Sequence, residues 1–366
     1  MIQELRAADL QAYIYSEAYE RSPVLPISRH RALSHIANPR LQAEDVILLL
    51  AYNEEKVLVG YLGVLPDEIN LNGKKARGGW LSCMWVNPIT RGQGIGGKLV
   101  AAALNAYDQR ILVTEFTPAA KRLYDRAEAF VDLHQPVGLR GFLRFNTATI
   151  LPNKKPIFQK LKPLLKAGDW LLNIPNDLRV KFKNFNANLQ WEYANELDDE
   201  LETFLRSRQD NQVFRRGQAE INWMLKQPWI LSGADQDDYS RRYHFSAIDK
   251  RFDFMLLRLY RRTGELAGLI MFSIRNRHLK VPFLYVEDDL LPDVAQLIYQ
   301  HMQQMKLDML SVFHPALVAH IRGNAHPFFH IRDLRRHYII AKEFADDITA
   351  QDEIVIQDGD ADCAFT

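Results

Sequence analysis

The stretch Leu81-Ser82-Cys83-Met84-Trp85-Val86-Asn87-Pro88-Ile89-Thr90-Arg91-Gly92-Gln93-Gly94-Ile95-Gly96-Gly97-Lys98 changes its period in the middle. Leu81 to Val86 is apolar without alternation, which predicts a central strand covered on both faces. Pro88 ends it. From Gly96 onward Leu99, Val100, Ala103, Leu104 and Tyr107 fall on one face of a helix. The first turn of a helix offers unpaired backbone N–H groups and the positive end of its dipole. Glycines at 92, 94, 96 and 97 remove side chains that would block an anion there and permit the dihedrals that turn successive N–H groups inward. Arg91 adds charge. A diphosphate needs this convergence of donors on a small volume. The competing reading is a tight strand-to-helix turn that needs glycine only for geometry. The buried strand, the arginine, the amphipathic helix and the strand-helix pair that follows all favour the cradle. Neither a dinucleotide fingerprint nor the Gly-Lys-Ser/Thr of a P-loop fits.

Outward from this stretch the first 150 residues read as a mixed sheet with helices. Asp9 to Glu20 is helical in pattern, Val46 to Tyr52 and Val57 to Leu65 are strands, and Asn72-Gly73 supplies a tight hairpin turn into Lys74 to Trp80. Ile111 to Phe116 is a further strand. Thr117-Pro118 starts a helix running to about Ala129, with a hydroxyl N-cap and proline at the first helical position.

Prolines at 152, 156, 163 and 175 and many lysines mark residues 151–188 as a connector. Ile157, Phe158, Leu161, Leu164 and Leu165 are interleaved with the lysines. A membrane-surface helix has this pattern, but the preferred expectation is a helix packing its apolar face between two domains with its lysines in water. Residues 189–366 repeat the outline of the first segment. Tyr243 to Asp249, Asp253 to Tyr260, Leu266 to Ile274 and Val281 to Val286 read as strands. Asp293 to Met305 is a helix, Met309 to Phe313 a strand and Pro315 to Ile321 a short helix. Phe116-Thr117-Pro118-Ala119 is echoed by Phe313-His314-Pro315-Ala316, which suggests an internal duplication. Glu287-Asp288-Asp289 stands where the first copy has its arginine and glycines, and three carboxylates repel a pyrophosphate. Trp223, Trp229, Tyr239 and Tyr243 read as core. Asp346 to Asp362 forms an acidic tail with a strand at Ile354 to Ile356.

The 366 residues suit two domains. With 46 Lys+Arg against 45 Asp+Glu, no global field favours nucleic acid. Cys83 and Cys363 make neither a disulfide framework nor a metal-ligand spacing, so no metal is expected and a reducing cytoplasm fits. No secretory leader or apolar run of membrane-spanning length is read, so stable membrane insertion is not expected.

Val86-Asn87-Pro88-Ile89-Thr90-Arg91-Gly92-Gln93-Gly94-Ile95-Gly96 resembles motif A of the GNAT superfamily of acyl-CoA N-acyltransferases, whose core is [Gln/Arg]-x-x-Gly-x-[Gly/Ala]. The resemblance implies an α/β fold of the α+β mixed-sheet kind, with tandem GNAT-like domains: a catalytic copy at 1–150 and a degenerate one at 189–366. It also implies that backbone N–H groups of Arg91, Gly92, Gln93, Gly94, Ile95, Gly96 and Gly97, with Lys98 beside them, hold the pyrophosphate of acetyl-CoA. Met84, Trp85 and Val86 would pair with the pantetheine arm. In the following helix, Ala120, Leu123-Tyr124 and Ala129-Phe130 match the family in part, with Thr117 where an asparagine is common and Ala129 for a glycine. The activity implied is transfer of an acetyl or other short acyl group to a primary amine on a small molecule or peptide, by direct attack on the thioester. Tyr124 shares a face with Ala120 and Ala127, so its hydroxyl is the candidate acid for the leaving thiolate; a packed core tyrosine is the alternative. Glu115 is the candidate base, against a merely ion-paired glutamate. Cys83 reads as an inert buried thiol rather than a covalent carrier. His30 and His35 are candidates to line an acceptor pocket, against ordinary loop histidines with no special role. Two other functions stay open: a FemABX-like aminoacyl transferase, disfavoured by the intact cradle, and a non-catalytic acyl-CoA-binding protein, disfavoured by Tyr124.

Overall fold

The structure is a computed structural model that describes residues 1–71, 74–152, 154–233, 238–348 and 354–365. The hairpin turn expected at Asn72-Gly73 lies outside these residues. The strands it would join pair up to Leu71 and Lys74.

Two compact units are present, and neither is a continuous segment. The first comprises Met1–Pro136, Asn195–Asp253 and Arg336–Thr366; the second comprises Val137–Ala194 and Phe254–Arg335. The expected boundaries at 150 and 189 therefore do not describe how the chain divides. The reason is visible in the sheets. The first is seven-stranded, in the order Ile2–Leu5, Leu48–Tyr52, Leu58–Leu71, Lys74–Val86, Ile111–Val113, Tyr338–Ala341, Phe130–His134. Only the pairing of Lys74–Val86 with Ile111–Val113 is parallel. The second is also seven-stranded, in the order His330–Arg335, Val137–Phe142, Met309–Val312, His278–Val286, Leu266–Arg275, Phe252–Tyr260, Gln190–Ala194. Each sheet thus receives, in the same slot, one strand from the other half of the sequence. Tyr338–Ala341 enters the first and Val137–Phe142 the second.

The duplication read from the sequence is real at the level of topology. The helices Ile95–Ala106 and Leu291–Gln304 occupy equivalent places, as do Pro118–Ala127 and Pro315–Gly323. Even the caps correspond. The Thr117 hydroxyl accepts from the Ala120 N–H at 3.2 Å, and His314 Nδ1 accepts from the Leu317 N–H at 3.3 Å. The buried side chains Leu99, Val100, Ala103 and Leu104 seat the first of these helices on its sheet. Burial of each Leu or Val there contributes about 1.5–3 kcal/mol.

Several local expectations change. The helix read over Asp9 to Glu20 is two, Ala7–Tyr13 and Glu17–Arg21, because Ser16 caps the second by accepting from the Tyr19 N–H. Of Tyr243 to Asp249 only Ile248–Asp249 is a strand; Tyr243 makes a single bridge with Leu25. In the tail, Val355 forms one bridge with Gln212 rather than a strand. The connector is largely helical, over Ile157–Lys160 and Lys162–Lys181. Its long helix turns the opposite way from the expectation, burying Asp169, Asn173, Asn176 and Val180 and leaving Trp170, Leu171, Ile174 and Leu178 exposed.

Candidate active site

The glycine turn is built by local forces. The strand Lys74–Val86 ends at Asn87, whose side-chain oxygen accepts from the Ile89 N–H at 3.0 Å and starts a single 3-10 turn. Gly92 and Gly94 then take φ of 87° and 76°, where a side chain costs about 1–2 kcal/mol. Gly94 is the N-cap of Ile95–Ala106 and has no side chain to close the first turn. A Cβ built at Gly92, Gly94 or Gly97 would meet nothing within 4 Å, so the turn is open to a ligand. Gly96 serves packing instead, since its Cβ would lie 3.0 Å from Leu123 Cδ2 and glycine allows the helix Pro118–Ala127 to approach. Arg91, Gln93 and Lys98 are exposed around the turn. Neither Arg91 nor Lys98 forms an ion pair with a described residue. A groove of about 910 Å³ flanks this turn, lined by Thr90, Gln93, Ile95, Lys98 and the loop Tyr52 to Lys56.

The central strand is interrupted just before the turn. Tyr61 pairs with Trp85 but Gly63 with Ser82, so one extra residue bulges on the central strand. Cys83 carries it, with φ 55°. On the other side, pairing with Ile111–Val113 runs only over Gly79 to Leu81. The neighbouring strand stops because Glu115 is left-handed, φ 52°, which is why the strand expected to reach Phe116 is short. Cys83 to Val86 are half-buried, whereas Trp80 to Ser82 are buried. Met84, Trp85 and Val86 thus lie on a strand edge without a described partner on that side, leading directly to Arg91–Lys98.

Below that edge lies a buried polar cluster. Arg31, 4% exposed, stacks over the Trp229 ring at 3.9 Å. It donates to Ser82 Oγ (2.7 Å), Tyr243 Oη (3.0 Å) and Cys83 Sγ. Ser82 Oγ in turn donates to Asp362 Oδ2 at 2.6 Å. Asp362 Oδ1 is buried with no hydrogen-bond partner among the described residues. Burial pushes the Asp362 carboxyl above its usual range, against the Ser82 hydrogen bond and the Arg31 charge. Desolvation, and then the charge of Arg31, hold His35 neutral well below the usual histidine range. His35 stacks on Trp229 at 4.8 Å, and His30 Nε2 lies 2.7 Å from the Trp229 carbonyl oxygen. Both histidines are therefore engaged within the unit.

Tyr124 is 4% exposed, its ring edge-on to Phe116 at 5.9 Å and Phe130 at 5.4 Å. Its hydroxyl has no hydrogen bond to a described residue. Burial, and secondarily the charge of Asp362, raise its pKa, so it stays a proton donor across the physiological range. Glu115, half-exposed, accepts from Arg336 Nε at 2.8 Å. Arg336 is buried and also pairs with Asp358. Cys363 is a free thiol, 2% exposed.

Three carboxylates of the tail therefore point inward: Asp358 to Arg336, Asp360 to Arg216 at 2.9 Å, Asp362 to Ser82. Arg216 also grips Asp67 with two hydrogen bonds of 2.8 Å. Phe365 stacks on Trp229 at 4.3 Å. Sequence reading missed Arg31, Ser82, Trp229 and Asp362 as a group, because the Ser82–Asp362 bond spans 280 positions and the Arg31–Tyr243 bond 212. The one available signal was the alternation of aspartates at 358, 360 and 362, which reads equally well as a solvated tail. No group of His, Cys, Asp or Glu suited to a metal occurs among the described residues. Nor is any helix long and apolar enough to cross a membrane among them.

A model of the acetyltransferase (GNAT) family matches residues 10–130. No curated protein sequence matches the chain. Among solved structures, an Enterococcus faecalis V583 protein described as a probable N-acyltransferase superposes with a TM-score of 0.52 at 10% identity, covering 94% of this chain and 73% of the other. A GCN5-related N-acetyltransferase from Anabaena variabilis ATCC 29413 gives 0.51 at 12% identity, covering 93% and 72%. At these identities the likeness is one of fold, and it extends over both units.

Proposed function

We propose, from the match of residues 10–130 to the acetyltransferase (GNAT) family model, that this chain transfers a short acyl group, acetyl foremost, from acyl-CoA to a primary amine by direct attack on the thioester. The observation that carries this reading is the open glycine turn at a helix N-terminus, continuous with a strand edge that ends in a bulge. Backbone N–H groups of residues 92–97, with Arg91 and Lys98, hold the pyrophosphate. The edge Met84–Val86 takes the amides of the pantetheine arm, which brings the thioester to the gap where the two central strands part.

The amine nitrogen attacks the thioester carbonyl carbon, the carbon–sulfur bond breaks, and Tyr124 donates its hydroxyl proton to the departing sulfur. The amine must shed a proton. Glu115, the base expected from sequence, spends its carboxylate on Arg336. Asp362 keeps one oxygen without a partner and has a raised pKa, which brings a carboxylate closer to the working range of a general base. Asp362 therefore takes the proton in this reading, and Arg31 and Ser82 position it. The acceptor lies against the aromatic surface of Trp85 and His244 (4.6 Å apart), with buried Tyr61 backing Trp85 at 5.4 Å, a surface suited to a cationic or flat amine.

The test is incubation of the pure chain with radiolabelled acetyl-CoA and a panel of amines, alongside Gly94→Glu. The expected result is label transfer to at least one amine, together with loss of CoA binding in the variant. CoA binding unchanged by Gly94→Glu removes the basis of the reading. Binding without transfer to any amine favours a non-catalytic acyl-CoA-binding protein.

A further inference from the structure

The helix Lys162–Lys181 is polar where it is buried and apolar where it is exposed. Asp169 accepts from the Thr147 N–H (2.9 Å), the Thr147 hydroxyl (2.7 Å) and the Ala148 N–H (2.8 Å). Asn173 brackets Phe145, accepting from its N–H at 2.9 Å and donating to its carbonyl at 2.8 Å. Asn176 donates to the Leu143 carbonyl at 2.8 Å. These side chains bind the backbone of 143–148, so the orientation of the helix is specified largely by hydrogen bonds, with Val180 as its one buried apolar side chain.

That orientation turns the apolar residues outward. At about 100° per residue, Trp170, Ile174, Leu178, Leu171, Leu164 and Phe182 fall within an arc of about 120°. Trp170 is 66% exposed, Leu164 71% and Phe182 81%. Scattered exposed leucines need no explanation, but a continuous face does. Lys166 flanks the Trp170 edge of the arc, Lys181 lies beside Trp170 within it and Lys162 stands at the start of the helix; all three are exposed, and none forms an ion pair with a described residue. Lys160 and Lys155 continue the charge toward the preceding turn. The two carboxylates of the helix are engaged: Asp169 as above, and Asp177 by Arg144 at 2.6 Å.

We propose that this face docks on a membrane surface bearing anionic lipid, the helix lying in the plane of the interface. The apolar arc enters the boundary between headgroups and acyl chains, Trp170 sits at the polar edge, and the lysines meet lipid phosphates. Charge is what selects this occupant. Two copies of the chain packed face to face bring like-charged lysine rows together, whereas an anionic bilayer complements both the apolar face and its basic border. The proposal is independent of the acyltransferase reading.

The experiment is co-sedimentation of the full chain with vesicles of phosphatidylcholine alone and of phosphatidylcholine with phosphatidylglycerol. With each surface-proximal lysine contributing about 1 kcal/mol, the anionic vesicles should bind at least about tenfold more tightly, and added salt should weaken the binding. Leu171→Asp with Leu178→Asp should abolish binding. Lys166→Glu with Lys181→Glu should reduce it to the phosphatidylcholine level. All four side chains are exposed, and circular dichroism with thermal unfolding checks that the variants fold. Brominated lipid should quench tryptophan emission in the wild type and much less in Trp170→Phe. Equal binding to both vesicles, or none to either, overturns the proposal. So does concentration-dependent self-association abolished by the leucine variants, which assigns the face to a second copy.

Discussion

The two strand-to-helix junctions of this chain share a scaffold and differ in charge. At Arg91–Gly97 the strand feeds a helix capped by glycine, with open space beside the backbone and free cations around it. At Glu287–Asp289 the equivalent junction carries three carboxylates. Its own unit neutralises two of them: Arg261 donates to Glu287 and, at 2.9 Å, to Asp289. The following helix has Leu290 as N-cap and proline in its first turn, so one donor is absent from the place where an anion would bind. A helix N-terminus is therefore only a precondition for holding a diphosphate. The residues around it decide whether the field is left open or already satisfied.

The largest effect should come from giving the first junction the character of the second. Gly94→Glu sets a side chain at φ 76° and a carboxylate at the proposed phosphate site, and CoA affinity should fall by at least about a thousandfold. Calorimetry should count one CoA per wild-type chain and none in the variant. Two per wild-type chain breaks the contrast between the junctions. Next, Tyr124→Phe should lower kcat about a hundredfold with little change in KM for the acyl donor; full turnover in this variant leaves Tyr124 a core side chain. Asp362→Asn should lower kcat about tenfold and flatten its pH profile. The sign follows from the raised pKa: a base must be deprotonated, so wild-type kcat climbs as pH rises through that pKa and is lost below it. A wild-type profile identical to that of the variant returns the search to Glu115. The smallest effect belongs to the second junction. The Arg261 side chain is partly exposed and serves only Glu287 and Asp289 among the contacts described, so Arg261→Ala should leave CoA affinity and turnover unchanged. A change in CoA binding would mean that the acidic junction takes part after all.

A further contrast concerns buried carboxylates. Burial works against the charge of Asp67, yet Arg216 and Arg40 hold its pKa down to about 2. Its contribution to stability is present above the unfolded carboxylate range and lost as pH falls through that value. Burial instead pushes Asp360, on the other side of Arg216, up to about 6. One guanidinium between two carboxylates favours the charge of the one it grips bidentately.

The glycine turn was legible because everything its conformation needs lies within about twenty consecutive residues: an apolar run, a proline, an arginine, the glycines and a change of period. The order of elements in both copies was legible for the same reason. Tyr124 was placed by helical spacing from a proline-started helix. Arg31, Ser82 and Asp362 were not legible, since nothing in the local pattern of any of them distinguishes a site from a helix surface, a strand or an acidic tail. Residues 195–253 read as part of the second copy, yet they supply Trp229, Tyr243 and His244 to the first unit.

Local physics thus determined from sequence alone that this chain contains an open glycine turn at a helix N-terminus in one copy of a duplicated α/β scaffold, because backbone dihedrals and helix periodicity act over a few residues. Tertiary structure decided the rest. The exchange of Tyr338–Ala341 and Val137–Phe142 between sheets depends on which edges find partners across some two hundred residues of chain. The inward turn of the tail aspartates depends on buried arginines that only the fold brings to them. The same holds for the connector helix, where Asp169, Asn173 and Asn176 outweigh hydrophobicity because buried backbone groups at 143–148 need partners.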